Sequence, residues 1–240
     1  MTQNAKKKRI LLVDDDPSLQ ATLSDFLSFE GYEVQCCSSG EEALLCMRPW
    51  NPDLVILDMG MPGMGGTGFL ESILKEDGST LYPVLVLTAR ASMAAYFADK
   101  QVAGFVAKPA DPNDLLQEIG RIMFEYPSTP EDIRARAIAG NAMVVDPDPA
   151  FGSALAIELA RIGFAPDRAA TGREALEQAV RSRPAAVAIA AGLQPPIDAA
   201  ALAAALRALP ETEAAQIAVY GTAELPADAQ AVAAALAGGK

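Results

Sequence analysis

The 240-residue chain contains no histidine. That absence excludes histidine-based metal sites, Ser-His triads and any role as a histidine phosphodonor. Acid–base or phosphoryl chemistry must therefore use carboxylates, a lysine or groups supplied by a partner. Cysteine is scarce: Cys36, Cys37 and Cys46 form neither an even framework nor a CxxC or metal-ligand spacing. They read as small apolar residues of a reducing compartment, and no disulfide is expected. No run approaches the roughly 18 consecutive apolar residues of a membrane span, and no apolar signal core follows the basic residues near the N-terminus. The sequence therefore predicts a soluble, cytoplasmic protein with no membrane partner. Basic residues are outnumbered, 19 against 31 acidic, for a net charge of −12. This argues against a nucleic-acid partner, and the single basic run, Lys6-Lys7-Lys8-Arg9, reads as a solvated tail.

A composition that is 51% apolar supports well-packed cores, and the length suits two domains of about 120 residues each. Arg9 to Val13 is a short apolar run that ends in Asp14-Asp15-Asp16-Pro17, followed by helical spacing at Leu19, Leu23, Phe26 and Leu27 up to Gly31. Further strands are predicted at Tyr32 to Cys36, Pro52 to Asp58, Pro83 to Leu87 and Gly104 to Val106. The intervening helices are predicted from Ser39 to about Met47, from about Phe69 to Lys75, within Ser92 to Lys100, and from Asp111 to Glu125. The strands are apolar rather than alternating. Five such βα units imply a parallel sheet covered by helices on both faces.

In open α/β sheets the loops at the carboxyl ends of the strands form the binding crevice. The chemistry-bearing residues fall at such ends: Asp14 and Asp15 after the first strand, Asp58 after the third, Thr88 after the fourth and Lys108 after the fifth. Asp16, just before Pro17, is better suited to capping the first helix.

The segments Leu12-Val13-Asp14-Asp15-Asp16-Pro17, Pro52 to Gly63, Leu87-Thr88-Ala89 and Gly104-Phe105-Val106-Ala107-Lys108-Pro109 resemble, as a set, the receiver domain of two-component response regulators. The interval from Asp58 to Thr88 suits the family, whereas that from Thr88 to Lys108 is slightly short for it. The resemblance implies a flavodoxin-like, doubly wound sheet of order 2-1-3-4-5. It also implies that Asp58 accepts a phosphoryl group from a histidine kinase or phosphotransfer protein, with Thr88 and Lys108 contacting the phosphoryl oxygens. Clustered carboxylates repel one another, and a hard divalent ion with oxygen ligands relieves this. By resemblance the ion is Mg²⁺, held by Asp15, Asp58 and the Gly60 carbonyl, with Asp14 in its acidic shell. Ala89 leaves room for the phosphoryl group, and Thr88 with Phe105 forms the conformational switch. On this reading the chain is no enzyme beyond its own phosphorylation and dephosphorylation, and it signals to a downstream protein or to a second copy of itself as a homodimer.

The second half repeats the pattern. Ala142-Met143-Val144-Val145-Asp146-Pro147-Asp148-Pro149 parallels the first strand and its acidic loop, and Ala170 to Leu176 echoes Ser38 to Leu44. Pro184 to Ala191 echoes the strand that carries Asp58, with Pro147 in place of Asp15 and Ala190 in place of Asp58. Gln216 to Tyr220 reads as a fourth strand and Ala227 to Leu236 as a helix, with no residues left for a fifth unit. The expected organisation is a phospho-acceptor domain at 1–126, a linker helix within 127–140, and a degenerate receiver-like domain at 141–240. Three other readings compete with it: an aspartate-nucleophile phosphatase suggested by Asp14-x-Asp16, a DNA-binding regulator, and a fragment of a longer regulator with a catalytic output such as a diguanylate cyclase.

Overall fold

The computed structural model describes residues 7–75, 77–89, 102–126 and 139–237. The chain divides into two compact units, Met1–Ala137 and Ile138–Lys240. In the first, the described elements are β1 (Arg9–Val13), α1 (Pro17–Phe29), β2 (Glu33–Cys37), α2 (Gly40–Trp50), β3 (Leu54–Asp58), α3 (Gly65–Ser72), β4 (Val84–Thr88), β5 (Gly104–Ala107) and α4 (Pro112–Glu125). The strands are all parallel and lie in the order β2-β1-β3-β4-β5. The helix expected within 92–100 and most of the linker helix lie outside the described residues.

The core follows from apolar strands with helices on both faces. Leu54, Val55, Ile56 and Leu57 of β3 are fully buried, as are Val84, Leu85 and Val86 of β4. Each such side chain contributes about 1.5–3 kcal/mol relative to exposure, so the central strands hold the sheet in place. On one face Ile10, Leu12, Ile56 and Leu85 pack with Leu27 of α1 and with Leu115, Ile119 and Ile122 of α4. Asp16 caps α1 as expected, its carboxylate accepting the Ser18 and Leu19 N–H groups at 2.8 and 3.2 Å, with Pro17 in the first turn.

Two boundaries differ from the sequence reading for identifiable reasons. Helix α2 continues past Met47 to Trp50 although Pro49 in its last turn has no N–H to donate; Asn51, in the left-handed region at φ 51°, closes the end with its N–H on the Met47 carbonyl. Helix α3 starts at Gly65 rather than near Phe69. Its glycines read as a loop, but they permit close packing: a Cβ on Gly66 would stand 2.5 Å from the Asp58 carbonyl oxygen. In addition, β2 lies one residue further along, at Glu33–Cys37.

The second unit contains β6 (Gly140–Val145), α5 (Pro149–Arg161), β7 (Phe164–Ala169), α6 (Gly172–Ser182), β8 (Ala186–Ala190), α7 (Ala199–Ala208), β9 (Gln216–Tyr220) and α8 (Ala229–Ala237). Its described sheet is parallel, four-stranded and ordered β7-β6-β8-β9. Strand β7 and helix α7 were not read from sequence. Strand β7 carries Pro166, Asp167 and Arg168 on a half-exposed sheet edge, where proline is tolerated and apolar patterning is weak.

Local contacts repeat between the units. Asp14 N–H donates to Cys37 O at 3.1 Å, and Asp146 N–H to Ala169 O at 3.0 Å. Ser39 caps α2 while the Glu42 carboxylate accepts the Ser38 N–H at 2.7 Å; Thr171 caps α6 while Glu174 accepts the Ala170 N–H at 2.8 Å. Both helices close on a left-handed residue, Asn51 or Arg183.

Candidate functional site

The carboxyl-terminal edge of the first sheet gathers the acids that the sequence singles out. β1 delivers Asp14 and Asp15, and the adjacent β3 delivers Asp58. One oxygen from each of Asp14, Asp15 and Asp58 lies within 4.8 Å of the others. Asp14 is 1% exposed and Asp58 9% exposed, whereas Asp15 faces solvent. A buried carboxylate needs donors. For Asp14 these are the Asp16 N–H on Oδ1 at 2.9 Å and the Lys108 ammonium on Oδ2 at 2.7 Å.

Lys108 enters from the end of β5. Its backbone N–H donates to the Thr88 carbonyl at 2.8 Å, which ties the β4 and β5 ends together, and its Nζ also stands 3.2 Å from Asp58 Oδ1. Burial by itself lowers the lysine pKa, but the hydrogen bond and charge of Asp14, with those of Asp58, outweigh it. The net shift is upward from the ordinary lysine value. Lys108 therefore remains a cation between two buried carboxylates.

Thr88 is buried at the end of β4, one residue beyond the Asp58–Leu87 register pair. Phe105 is half-buried and pairs in register with Val86 on the neighbouring strand. Ala89 is exposed. Gly60 passes close to the Asp58 carboxylate: a Cβ there would lie 3.4 Å from Asp58 Oδ2. Asp14, Asp15, Asp58 and Lys108 thus meet in one cluster, with Thr88 and Gly60 at its border and Phe105 further back on β5.

Sequence reasoning missed two supporting residues. The Gln20 amide donates to the Asp14 carbonyl at 2.5 Å and to the Cys37 carbonyl at 2.9 Å, pinning the ends of β1 and β2 to α1. Its position in the series 20, 23, 27 puts it on the apolar face of α1, which was the available signal. The Glu41 carboxylate accepts the Met64 N–H at 2.9 Å, anchoring the loop after β3 to α2. Nothing local in the sequence marks that contact.

In the second unit the corresponding edge is built differently. Asp146, 8% exposed, accepts the Asp148 N–H at 2.7 Å and the Tyr220 hydroxyl at 2.5 Å. Burial, with the Asp146 hydrogen bond and charge, pushes the Tyr220 phenol well above its ordinary value. Ala190 ends β8 at the position where β3 carries Asp58, and Pro147 follows Asp146.

A five-stranded parallel sheet with buried acids and a lysine at its carboxyl edge defines a receiver-type domain. Residues 10–120 match the family described as the response regulator receiver domain, and this part of the chain is such a domain. Among curated relatives, the "Response regulator MprA" of Mycolicibacterium vanbaalenii is 36% identical over 126 residues, which is 52% of this chain and 53% of the relative. The "Probable transcriptional regulator ycf27" of Pyropia yezoensis is 35% identical over 120 residues, covering 49% of this chain and 48% of the relative. The "DNA-binding response regulator MtrA" of Mycolicibacterium smegmatis is 33% identical over 115 residues, covering 47% and 49%. The chain spans about half the length of these relatives. A response regulator receiver domain protein (CheY-like) from Methanospirillum hungatei JF-1 has 30% identity and a TM-score of 0.46, over 50% of this chain and 96% of that one. Among the described residues no helix is long and apolar enough to cross a membrane.

Proposed function

We propose that the first unit accepts a phosphoryl group on Asp58 from a phosphohistidine of a partner histidine kinase or phosphotransfer protein. The observation that carries this reading is the Lys108 ammonium held at 2.7 Å from Asp14 and 3.2 Å from Asp58, with Asp15 in the same cluster. An Asp58 carboxylate oxygen attacks phosphorus, the O–P bond forms, the P–N bond breaks and the partner's imidazole leaves. Positioning and charge neutralisation carry most of such a transfer. Lys108 sits beside the acceptor oxygen to neutralise incoming phosphoryl charge, and the Thr88 hydroxyl serves a second oxygen.

Three mutually close carboxylates, all hard oxygen donors, fit a divalent cation such as Mg²⁺. Asp15 and Asp58, with the Gly60 carbonyl and the Asp14 shell, would hold it. Once bound, it would neutralise charge on the phosphoryl oxygens. An apolar cleft of about 470 Å³, lined by Leu19 and Leu23 of α1 together with Ala89, Lys108 and Ala110, opens beside the cluster and suits contact with a phosphodonor protein.

Phosphorylation shifts Thr88 toward the new group, and Phe105 turns inward behind it, altering the surface around β5 and α4 that a downstream protein or second copy reads. The second unit is then a receiver-like domain that relays rather than receives, because Ala190 and Pro147 stand where an acceptor and a metal carboxylate would be needed. The chain turns over no external substrate on this reading.

The test is a calorimetric titration of beryllofluoride with Mg²⁺ into the wild-type chain and an Asp58→Asn variant. One site per chain, absent from the variant, is expected. Retained binding in the variant, or a second site in the wild type, overturns the assignment.

A further inference from the structure

The phosphoryl chemistry leaves the cysteines unused, and two of them are not placed as independent apolar fillers. Cys37 ends β2 and is 1% exposed; Cys46 lies on α2 and is half-buried. Their sulfurs are 3.0 Å apart, both as free thiols in hydrogen-bond contact. A disulfide bond is about 2.05 Å long, so the sulfurs need approach by only about 1 Å. Both ends are held by firm elements. Cys37 is paired in register with Val13 and its carbonyl accepts the Asp14 N–H, while α2 is capped by Ser39 and closed at Asn51. Cys36 is directed elsewhere, since successive strand residues face opposite sides of a sheet. It packs against the core formed with α1 and α4.

From this geometry we infer that Cys37 and Cys46 form a reversible intramolecular disulfide, a redox modification site whose oxidant is a small hydroperoxide. Cys46 is the accessible member. Its thiolate sulfur attacks a peroxide oxygen, the O–O bond breaks, and Cys46 becomes a sulfenic acid as the peroxide is reduced to water or an alcohol. Cys37 sulfur then attacks Cys46 sulfur; the S–S bond forms, the S–O bond breaks, and hydroxide leaves with the Cys37 proton as water. In sum, two thiols lose two electrons and two protons to one peroxide. The hydrogen bond from its neighbour holds the Cys46 thiol below the ordinary cysteine value against burial and the nearby Glu42, favouring it as the attacking sulfur. The product ties α2 to the end of β2, next to the strand that delivers Asp14 and Asp15.

The fully reduced chain is exposed to graded hydrogen peroxide, blocked with an alkylating reagent, and analysed by intact mass and peptide mapping. The expected product is a monomer lighter by two hydrogens, with one of its three thiols still alkylated and mapped to Cys36. Dithiothreitol restores all three. Cys46→Ser abolishes the bridge and Cys36→Ser leaves it intact. The inference is overturned by a bridge that includes Cys36, by an intermolecular dimer, by stable oxygen addition at Cys46 without an S–S bond, or by thiols that stay reduced at peroxide levels that oxidise the denatured chain. The mapping on wild-type protein decides the matter even where a variant fails to fold.

Discussion

Replacing Lys108 by methionine keeps most of the side-chain stem while removing the charge between Asp14 and Asp58. At an effective dielectric constant of about 20, a unit charge at 2.7 Å and another at 3.2 Å interact with the ammonium by about 6 and about 5 kcal/mol, before desolvation is subtracted. The subtraction is large for a partly buried lysine, yet the upward shift of Lys108 means that attraction wins. Breaking such an arrangement from one side leaves two buried carboxylates uncompensated, and the expected loss is about 3 kcal/mol. The single tryptophan, Trp50, lies in the first unit, so denaturant unfolding followed by its fluorescence reports that unit alone. A raised lysine pKa in the fold gives stability that is fully present below the ordinary value of 10.5 and is lost as pH rises through the higher folded value. The difference between wild type and variant should therefore be flat from neutral pH to about 9 and close above about 10.5. Mg²⁺ should raise the variant's midpoint more than the wild type's, since no ammonium competes for the acids. Equal stability of the two proteins, with equal responses to Mg²⁺, would show that the ammonium does not hold the two acids together.

Tyr220→Phe deletes the hydroxyl that donates to Asp146 while keeping the ring beside Phe151, and should cost the second unit about 1.5–3 kcal/mol, measured as faster amide exchange in β6 and β9. Because the phenol is shifted upward, this contribution persists below about pH 10 and is lost as pH rises beyond it; an alkaline-only effect would contradict the assignment. Gly66→Ala places a Cβ 2.5 Å from the Asp58 carbonyl oxygen and 2.6 Å from Met59 Cα, so backbone must move; a loss of about 1–3 kcal/mol by Trp50 fluorescence, with weaker beryllofluoride binding, is expected. Phe105→Ala should leave beryllofluoride binding near wild type and abolish the binding-dependent change in self-association seen by light scattering. An undiminished change would assign Phe105 to packing alone.

The strands were legible because burial on both faces writes them as uninterrupted apolar runs; β1 and β9 match the sequence reading to the residue or nearly so. Asp58, Asp14 and Lys108 were legible as polar residues at the ends of those runs. Strand β7 was not, because an edge strand half open to solvent needs no apolar pattern and here carries a proline. The start of α3 was hidden for a related reason: its glycines answer to the backbone of Asp58 and Met59 packed against them rather than to helix propensity, and that contact exists only once the loop after β3 has folded back.

From local composition and order the sequence specifies most strands and helices of the first unit, the recurrence of their pattern in the second half, and Ala190 at the end of the run that echoes the one ending in Asp58. Which groups meet is set by the three-dimensional fold. It sets one lysine between two buried acids, turns Tyr220 onto Asp146 in the second unit, and brings two cysteines on different elements to 3.0 Å. Distances of that kind arise from the parallel pairing of strands far apart in the chain, where a shift of one register position would turn the strand residues to the opposite face and separate them from their partners.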